Sequence, residues 1–179
     1  QIHKQLNAAV DKNPVVQLAQ HCMRRYQGAL YLTPIFSEDI QWQQVVDWPD
    51  LQQQSCHLSL PDNIGELVLT SASVDIDLDL DIHTHCQPWR ASISAPKSDQ
   101  QMSIRLSHHN PRCLPDYRRK SRQLKKVLQE LNIPSWQRKR LPLLFYNDQL
   151  VAVLGHFVCK PFLAKSNSAT LHLYWQPRQ

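Results

Sequence analysis

The stretch Arg118-Arg119-Lys120-Ser121-Arg122-Gln123-Leu124-Lys125-Lys126 places six cations in nine residues. The chemistry such a run supports is the holding of anions, because guanidinium and ammonium groups donate charge-assisted hydrogen bonds to phosphate or carboxylate oxygens. Leu124, Val127, Leu128 and Leu131 recur at i, i+3, i+4 and i+7, so an amphipathic helix is expected to begin in the basic run and to end at Pro134. Cations at a helix start oppose the macrodipole by roughly a few tenths of a kcal/mol each. Bound phosphate would reverse that balance, since a helix N-terminus flanked by Arg and Lys is itself an anion site. With the apolar stripe turned to the core, Arg122, Lys125, Lys126 and Gln129 are left on the flanks. A second cluster, Arg138-Lys139-Arg140, follows Trp136 after the proline. Two basic clusters joined by one helix suit a duplex backbone better than a small ligand. The candidate polyanion-binding residues are therefore Arg118, Arg119, Lys120, Arg122, Lys125, Lys126, Arg138, Lys139 and Arg140. Charge alone does not separate this reading from a solvated basic face.

Other chemistry-bearing residues carry less. His83-Thr84-His85-Cys86 puts both histidines on one face of an expected strand, and His108-His109 lies near Cys113, but neither offers a second ligand pair at zinc spacing. Val74-Asp75-Ile76-Asp77-Leu78-Asp79-Leu80-Asp81-Ile82 alternates strictly, the pattern of a half-buried strand. Its four aspartates would repeat about every 6.6–6.8 Å along one face, too far apart to converge on one hard cation. They are read as edge protection and solubility, and no metal is assigned. Nothing resembles a nucleophile elbow. Gly28, Gly65 and Gly155 are the three glycines, so no glycine-rich phosphate loop can be assembled, and no catalytic residue or cofactor is assigned to this chain. Trp136 is read as a packing residue rather than a nucleotide platform.

The run from Arg122 through Leu128 and Ile133-Pro134-Ser135-Trp136-Gln137-Arg138, followed by Leu141-Pro142-Leu143-Leu144-Phe145-Tyr146 and Val151-Ala152-Val153-Leu154-Gly155, resembles the C-terminal signature of tRNA(Ile)-lysidine synthetases. The resemblance covers about residues 101–176, with an echo at Arg24-Arg25-Tyr26-Gln27. It implies an α+β domain shared with part of the phenylalanyl-tRNA synthetase β chain. It also implies a parent ligase that adenylates the wobble cytidine of tRNA(Ile), bearing a CAU anticodon, and attaches lysine to it. In that family ATP, with Mg, is used by an N-terminal domain, while the C-terminal region grips the tRNA toward the acceptor stem. The nine basic residues named above become, by this resemblance, tRNA-binding residues. The chain departs from the family by carrying Leu114-Pro115-Asp116-Tyr117 where glycines usually precede the basic helix, so side chains rather than close backbone approach would carry phosphate contact. Leu154 replaces the usual proline before Gly155. A binding module for DNA or a protein partner, unrelated to tRNA modification, is the alternative class.

The elements expected to position these residues are mostly short strands. Cys22–Tyr26 and Ala29–Leu32 read as a hairpin around Gln27-Gly28, and Leu143–Tyr146 and Gln149–Val153 as a second around Asn147-Asp148. Further strands are expected at 41–48, 56–60, 66–70, 102–106 and 171–175, with a polar loop over 92–101. The fold class is α+β: short antiparallel strands and one main amphipathic basic helix. Residues 1–20 read as the tail of an upstream helical domain, 21–97 as an acidic strand-rich part and 98–179 as a basic part, with 21–179 forming one globular unit. Up to residue 100 the chain has six Lys/Arg against twelve Asp/Glu, and beyond it fourteen against three. That asymmetry points to a polyanionic partner for the second half. The five cysteines are odd in number and scattered, without a CxxC pair, which favours a reducing compartment, the cytoplasm. No apolar run approaches a membrane span, and without an initiator Met or an apolar leader the chain reads as a piece of a longer protein. Its oligomeric state is left open, a dimer included.

Overall fold

Residues with left-handed backbone mark where the chain turns back. The computed structural model describes residues 15–37, 41–72 and 87–178. Residues 74–82 with their alternating aspartates, for which a strand is expected from sequence, His83, His85 and Cys86, and residues 1–14 all lie outside them.

Chain contacts divide the protein into Gln1–Glu38 and Asp39–Gln179. In the first unit β1 (Val15–Leu18), β2 (His21–Tyr26) and β3 (Ala29–Pro34) form an antiparallel meander in that order. Gln27 and Gly28 take φ of 48° and 80°, and Tyr26 sits opposite Ala29, so two residues close the hairpin as expected. Residues 15–18 do not continue a helical tail. The β-branched pair Val15-Val16 lies opposite Arg24 and Met23, and pairing with β2 overrides any helical continuation.

The second unit contains β4 (Gln43–Val46), a short helix α1 (Trp48–Leu51), β5 (Cys56–Leu60), β6 (Gly65–Thr70), β7 (Trp89–Ser94) and β8 (Met102–Arg105). It continues through β9 (Arg112–Cys113), β10 (Arg122–Gln123), α2 (Leu124–Glu130), α3 (Ser135–Arg138), β11 (Leu143–Tyr146), β12 (Gln149–Val153), β13 (Phe157–Val158) and β14 (Thr170–Pro177). Two larger sheets result, ordered β13-β12-β11-β8-β4 and β5-β6-β14-β7, with β9 and β10 as a separate pair. Every described pairing is antiparallel. Strands predominate over few, short helices, consistent with α+β.

Strand period explains the layering. Leu144 and Tyr146 of β11 pack in one core with Leu67, Leu69, Ile93, Leu171 and Leu173 of the four-stranded sheet. Leu143 and Phe145 point the other way, into a second core with Leu124, Val127 and Leu128 of α2. Both faces of β11 are therefore covered, and its sequence reads as an unbroken apolar run instead of an alternation. In β12 the register shifts between Leu144 and Phe145 of its partner, so Val151 and Ala152 both enter the first core while Leu150 and Val153 face α2. The first core joins Leu67 and Ile93 from the acidic half to Met102 and Ile104 from the basic half, so no compact-unit boundary falls at 97/98. The loop expected from Ser92 starts later. Ile93 is buried between exposed Ser92 and half-buried Ser94, and β7 runs to Ser94 opposite Thr170.

Gly155 shows one backbone requirement plainly. Its φ is 83°, and a Cβ there would stand 2.2 Å from the Trp175 ring.

A basic surface around the short helix

The helix begins later than the cations. Arg118, Arg119 and Lys120 lie in the loop between β9 and β10, Arg122 lies on β10, and only Lys125 and Lys126 belong to α2. Helix start is set by Asn110 and Pro111: Leu124 N donates to the Pro111 carbonyl at 2.9 Å, and Lys125 N to Asn110 Oδ1 at 2.8 Å. Those two amides are thus occupied from within the chain, and the seven-residue helix does not offer them to an anion, contrary to the expectation from sequence. The helix also ends before Pro134. Asn132 takes φ of 57°, its N–H reaches the Gln129 carbonyl at 3.0 Å, and Ile133 N reaches the Leu128 carbonyl at 3.2 Å. This is a Schellman closure, with Ile133 and Leu128 in the same core. Leu131, the expected fourth member of the stripe, sits at the cap and is exposed, whereas Leu124, Val127 and Leu128 are buried.

The cations divide into two kinds. Arg118 and Arg122 both reach the Glu130 carboxylate, Arg122 at 2.7 Å, and this ties the loop and β10 to the far end of α2. Arg138 Nε donates to the Ile133 carbonyl at 2.6 Å. Arg140 is paired with the Asp62 carboxylate and donates to the Asp62 carbonyl at 2.5 Å, anchoring the end of α3 to the β5–β6 turn. Burial lowers the Arg140 pKa from its ordinary value. By contrast, Arg119, Lys120, Lys125 and Lys126 are exposed and make no ion pair among the described residues. Lys139 is also exposed. Trp136 is buried at 8% exposure, which makes it a packing residue.

Three residues around the loop had no signal in the basic run. Lys160, in the 3-10 turn Lys160–Phe162, donates from Nζ to the Arg118 carbonyl at 2.8 Å. Arg112 donates from Nη2 to the Ser121 carbonyl and hydroxyl at 3.0 and 3.1 Å. His108 accepts from Asn110 N at its Nδ1 at 2.9 Å, supporting the residue that caps α2. Burial first, then Lys125 and His109, holds the His108 pKa below its ordinary value. The buried thiols of Cys113 and Cys159 hydrogen-bond each other. That bond draws Cys113 below its ordinary pKa and, with burial, pushes Cys159 up. Lys160 and Arg112 are isolated in sequence, so only the pairing of distant segments reveals them. Among the described residues, no cluster of His, Cys, Asp or Glu is arranged to hold a metal, and no helix is long and apolar enough to cross a membrane.

Fold and site together define an antiparallel β-domain of α+β class with a basic surface around one short helix. Residues 102–175 match the family model described as the TilS substrate C-terminal domain. The tRNA(Ile)-lysidine synthase of Pectobacterium atrosepticum is 36% identical over 166 residues, covering 93% of this chain and 32% of that protein. The synthase of Serratia proteamaculans is 35% identical over 174 residues, covering 94% of this chain and 33% of its own length. A crystal structure of a TilS C-terminal domain aligns with 69% of this chain and 92% of its own, at a TM-score of 0.47 and 16% identity. The chain belongs to the tRNA(Ile)-lysidine synthase family and corresponds to its C-terminal region. It spans about a third of the length of the curated relatives it matches.

Proposed function

We propose that this chain is the tRNA-binding, non-catalytic part of an ATP-dependent ligase that attaches lysine to the wobble cytidine of tRNA(Ile). On this reading the basic surface grips the tRNA body toward the acceptor stem, and ATP with Mg is handled by other parts of the ligase, in the cytoplasm. The fold is shared, in the same proposal, with part of the phenylalanyl-tRNA synthetase β chain. One observation carries the RNA reading. The exposed heads of Arg119, Lys120, Lys125 and Lys126 make no ion pair among the described residues, beside Arg118 and Arg122 held in place by Glu130. An exposed cation without a partner contributes little to folding, while phosphate contact gains from each counterion released. A-form RNA has a deep, narrow major groove that side chains cannot read, so backbone and shape are the features such a surface takes up. In this proposal Arg118, Arg119, Lys120, Arg122, Lys125, Lys126, Arg138, Lys139 and Arg140 form the surface. Arg138 and Arg140, whose donors already serve the chain, hold its frame.

The test is binding of the chain to tRNA(Ile) with a CAU anticodon, against an unrelated tRNA and a DNA duplex of matched length. Tighter binding of tRNA(Ile) than of the DNA duplex, falling steeply with salt, is the expected result. With ATP and lysine added, the bound tRNA stays unmodified. Equal binding to all three, or none, overturns the tRNA reading, and lysidine formed by the chain alone overturns the non-catalytic assignment.

A further inference from the structure

Tyr117 has no role in the electrostatic reading, yet it stands at its centre. The backbone beneath it is fixed three ways. Arg118 N donates to the Pro115 carbonyl at 3.0 Å, Tyr117 N to Asp116 Oδ1 at 3.0 Å, and Asp116 N to the Val158 carbonyl at 2.9 Å. The ring is 55% exposed, and among the described Phe, Tyr and Trp side chains it is the one that is mainly exposed. It meets buried Phe157 edge-to-face, with centroids 6.1 Å apart and planes at 83°. A T-shaped contact fixes a ring while leaving at least one of its faces uncovered by the partner. Arg119 and Lys120, two and three residues further along the chain, are exposed cations without an ion pair among the described residues.

A fixed, uncovered π-face beside exposed cations is the arrangement that receives an unpaired base while its strand's phosphates are held alongside. A duplex interior presents no free base face, so the ring has nothing to stack on there. A duplex end with an unpaired extension does present one. Charge does not explain the ring, and packing explains only its contact with Phe157.

We propose that Tyr117 is a stacking platform for an unpaired nucleobase, so that the basic surface takes the end of an RNA duplex carrying a single-stranded extension. The assignment rests on the RNA-backbone reading above and adds the substrate feature that this reading leaves open. Because stacking involves no ion, substitution of Tyr117 lowers affinity without changing its salt dependence, whereas loss of a phosphate contact changes both.

The probes are one RNA hairpin closed by a non-nucleotide linker, with a blunt end, and the same hairpin with a short extension at its 3′ or its 5′ end, each extension containing 2-aminopurine. The full chain is expected to bind an extended hairpin more tightly and to quench its 2-aminopurine fluorescence. Tyr117→Ala loses about 5- to 150-fold on that probe, keeps its affinity for the blunt hairpin, leaves the salt slope unchanged and abolishes the quenching. Tyr117→Phe retains both affinity and quenching, which separates a lost π-face from a lost fold. Equal wild-type affinity for blunt and extended hairpins, or an equal loss on both with Tyr117→Ala, overturns the stacking assignment while leaving the phosphate reading standing. Failure of the wild-type chain to bind any of the hairpins overturns both.

Discussion

The two sides of α2 share one seven-residue backbone and answer to different physics. Leu124, Val127 and Leu128 are removed from water against Leu143, Phe145 and Val153, where each methyl must fit its neighbours. Lys125, Lys126 and Gln129 face solvent, where shape is unconstrained and what remains is charge and reach. One side is specified by the protein's own interior. The other carries charge that its helix disfavours, since Lys125 and Lys126 sit in the first turn against the macrodipole. Stability and binding should therefore separate residue by residue within two turns of helix.

The largest effect is expected on the inner side. Leu128→Ala should cost about 2–5 kcal/mol of folding stability, read by denaturant unfolding, because a cavity remains where the side chain lay. A loss under about half a kcal/mol would place Leu128 outside any tight core and end the contrast. The outer side should behave in the opposite way. Replacing Lys125 and Lys126 together by Ala should leave stability within about half a kcal/mol. The same change should flatten the slope of log affinity for tRNA against log salt by a little under about one unit per lost contact. An unchanged slope would return the pair to the status of a solvated face.

The smallest effect tests what joins the two sides, the Asn110 cap. His108 Nδ1 accepts from Asn110 N and so must be unprotonated there. Its folded pKa lies below the ordinary 6.5, through burial, then Lys125 and His109, so below that pH the unfolded chain binds more protons than the folded one. His108's contribution is thus fully present above about pH 6.5 and is lost as pH falls toward its depressed folded pKa. His108→Asn, which keeps an acceptor but cannot titrate, should flatten the stability profile in that window. An identical profile for wild type and variant would remove His108 from the cap.

Much of this protein was legible in one dimension because the relevant physics is local. Gln27-Gly28 and Asn147-Asp148 announced two-residue hairpins, since few residues tolerate the backbone such turns need. The spacing of Leu124, Val127 and Leu128 announces a buried helical stripe, and Trp136, expected in the packing from its place after the Ile133-Pro134 turn, is buried. The family was legible in the segment from Arg122 to Gly155, where spacing and residue type coincide. Other features depended on partners distant in sequence. Where α2 starts was decided by Asn110 and Pro111, which a periodicity centred on leucines does not contain. Where it stops was decided by Asn132, whose left-handed backbone acted two residues before the proline. Val15–Leu18 became a strand because β2 was there to pair with it. Among the cations, a run of like charges in sequence is uniform, and only folding brought Glu130 to Arg118 and Arg122 and Asp62 to Arg140 while leaving Arg119, Lys120, Lys125 and Lys126 in solvent without an ion pair among the described residues. Composition and spacing determine which groups a chain can offer. Which of them are already occupied by the chain itself is settled by long-range pairing, because Coulombic and hydrogen-bond partners are chosen by distance in space.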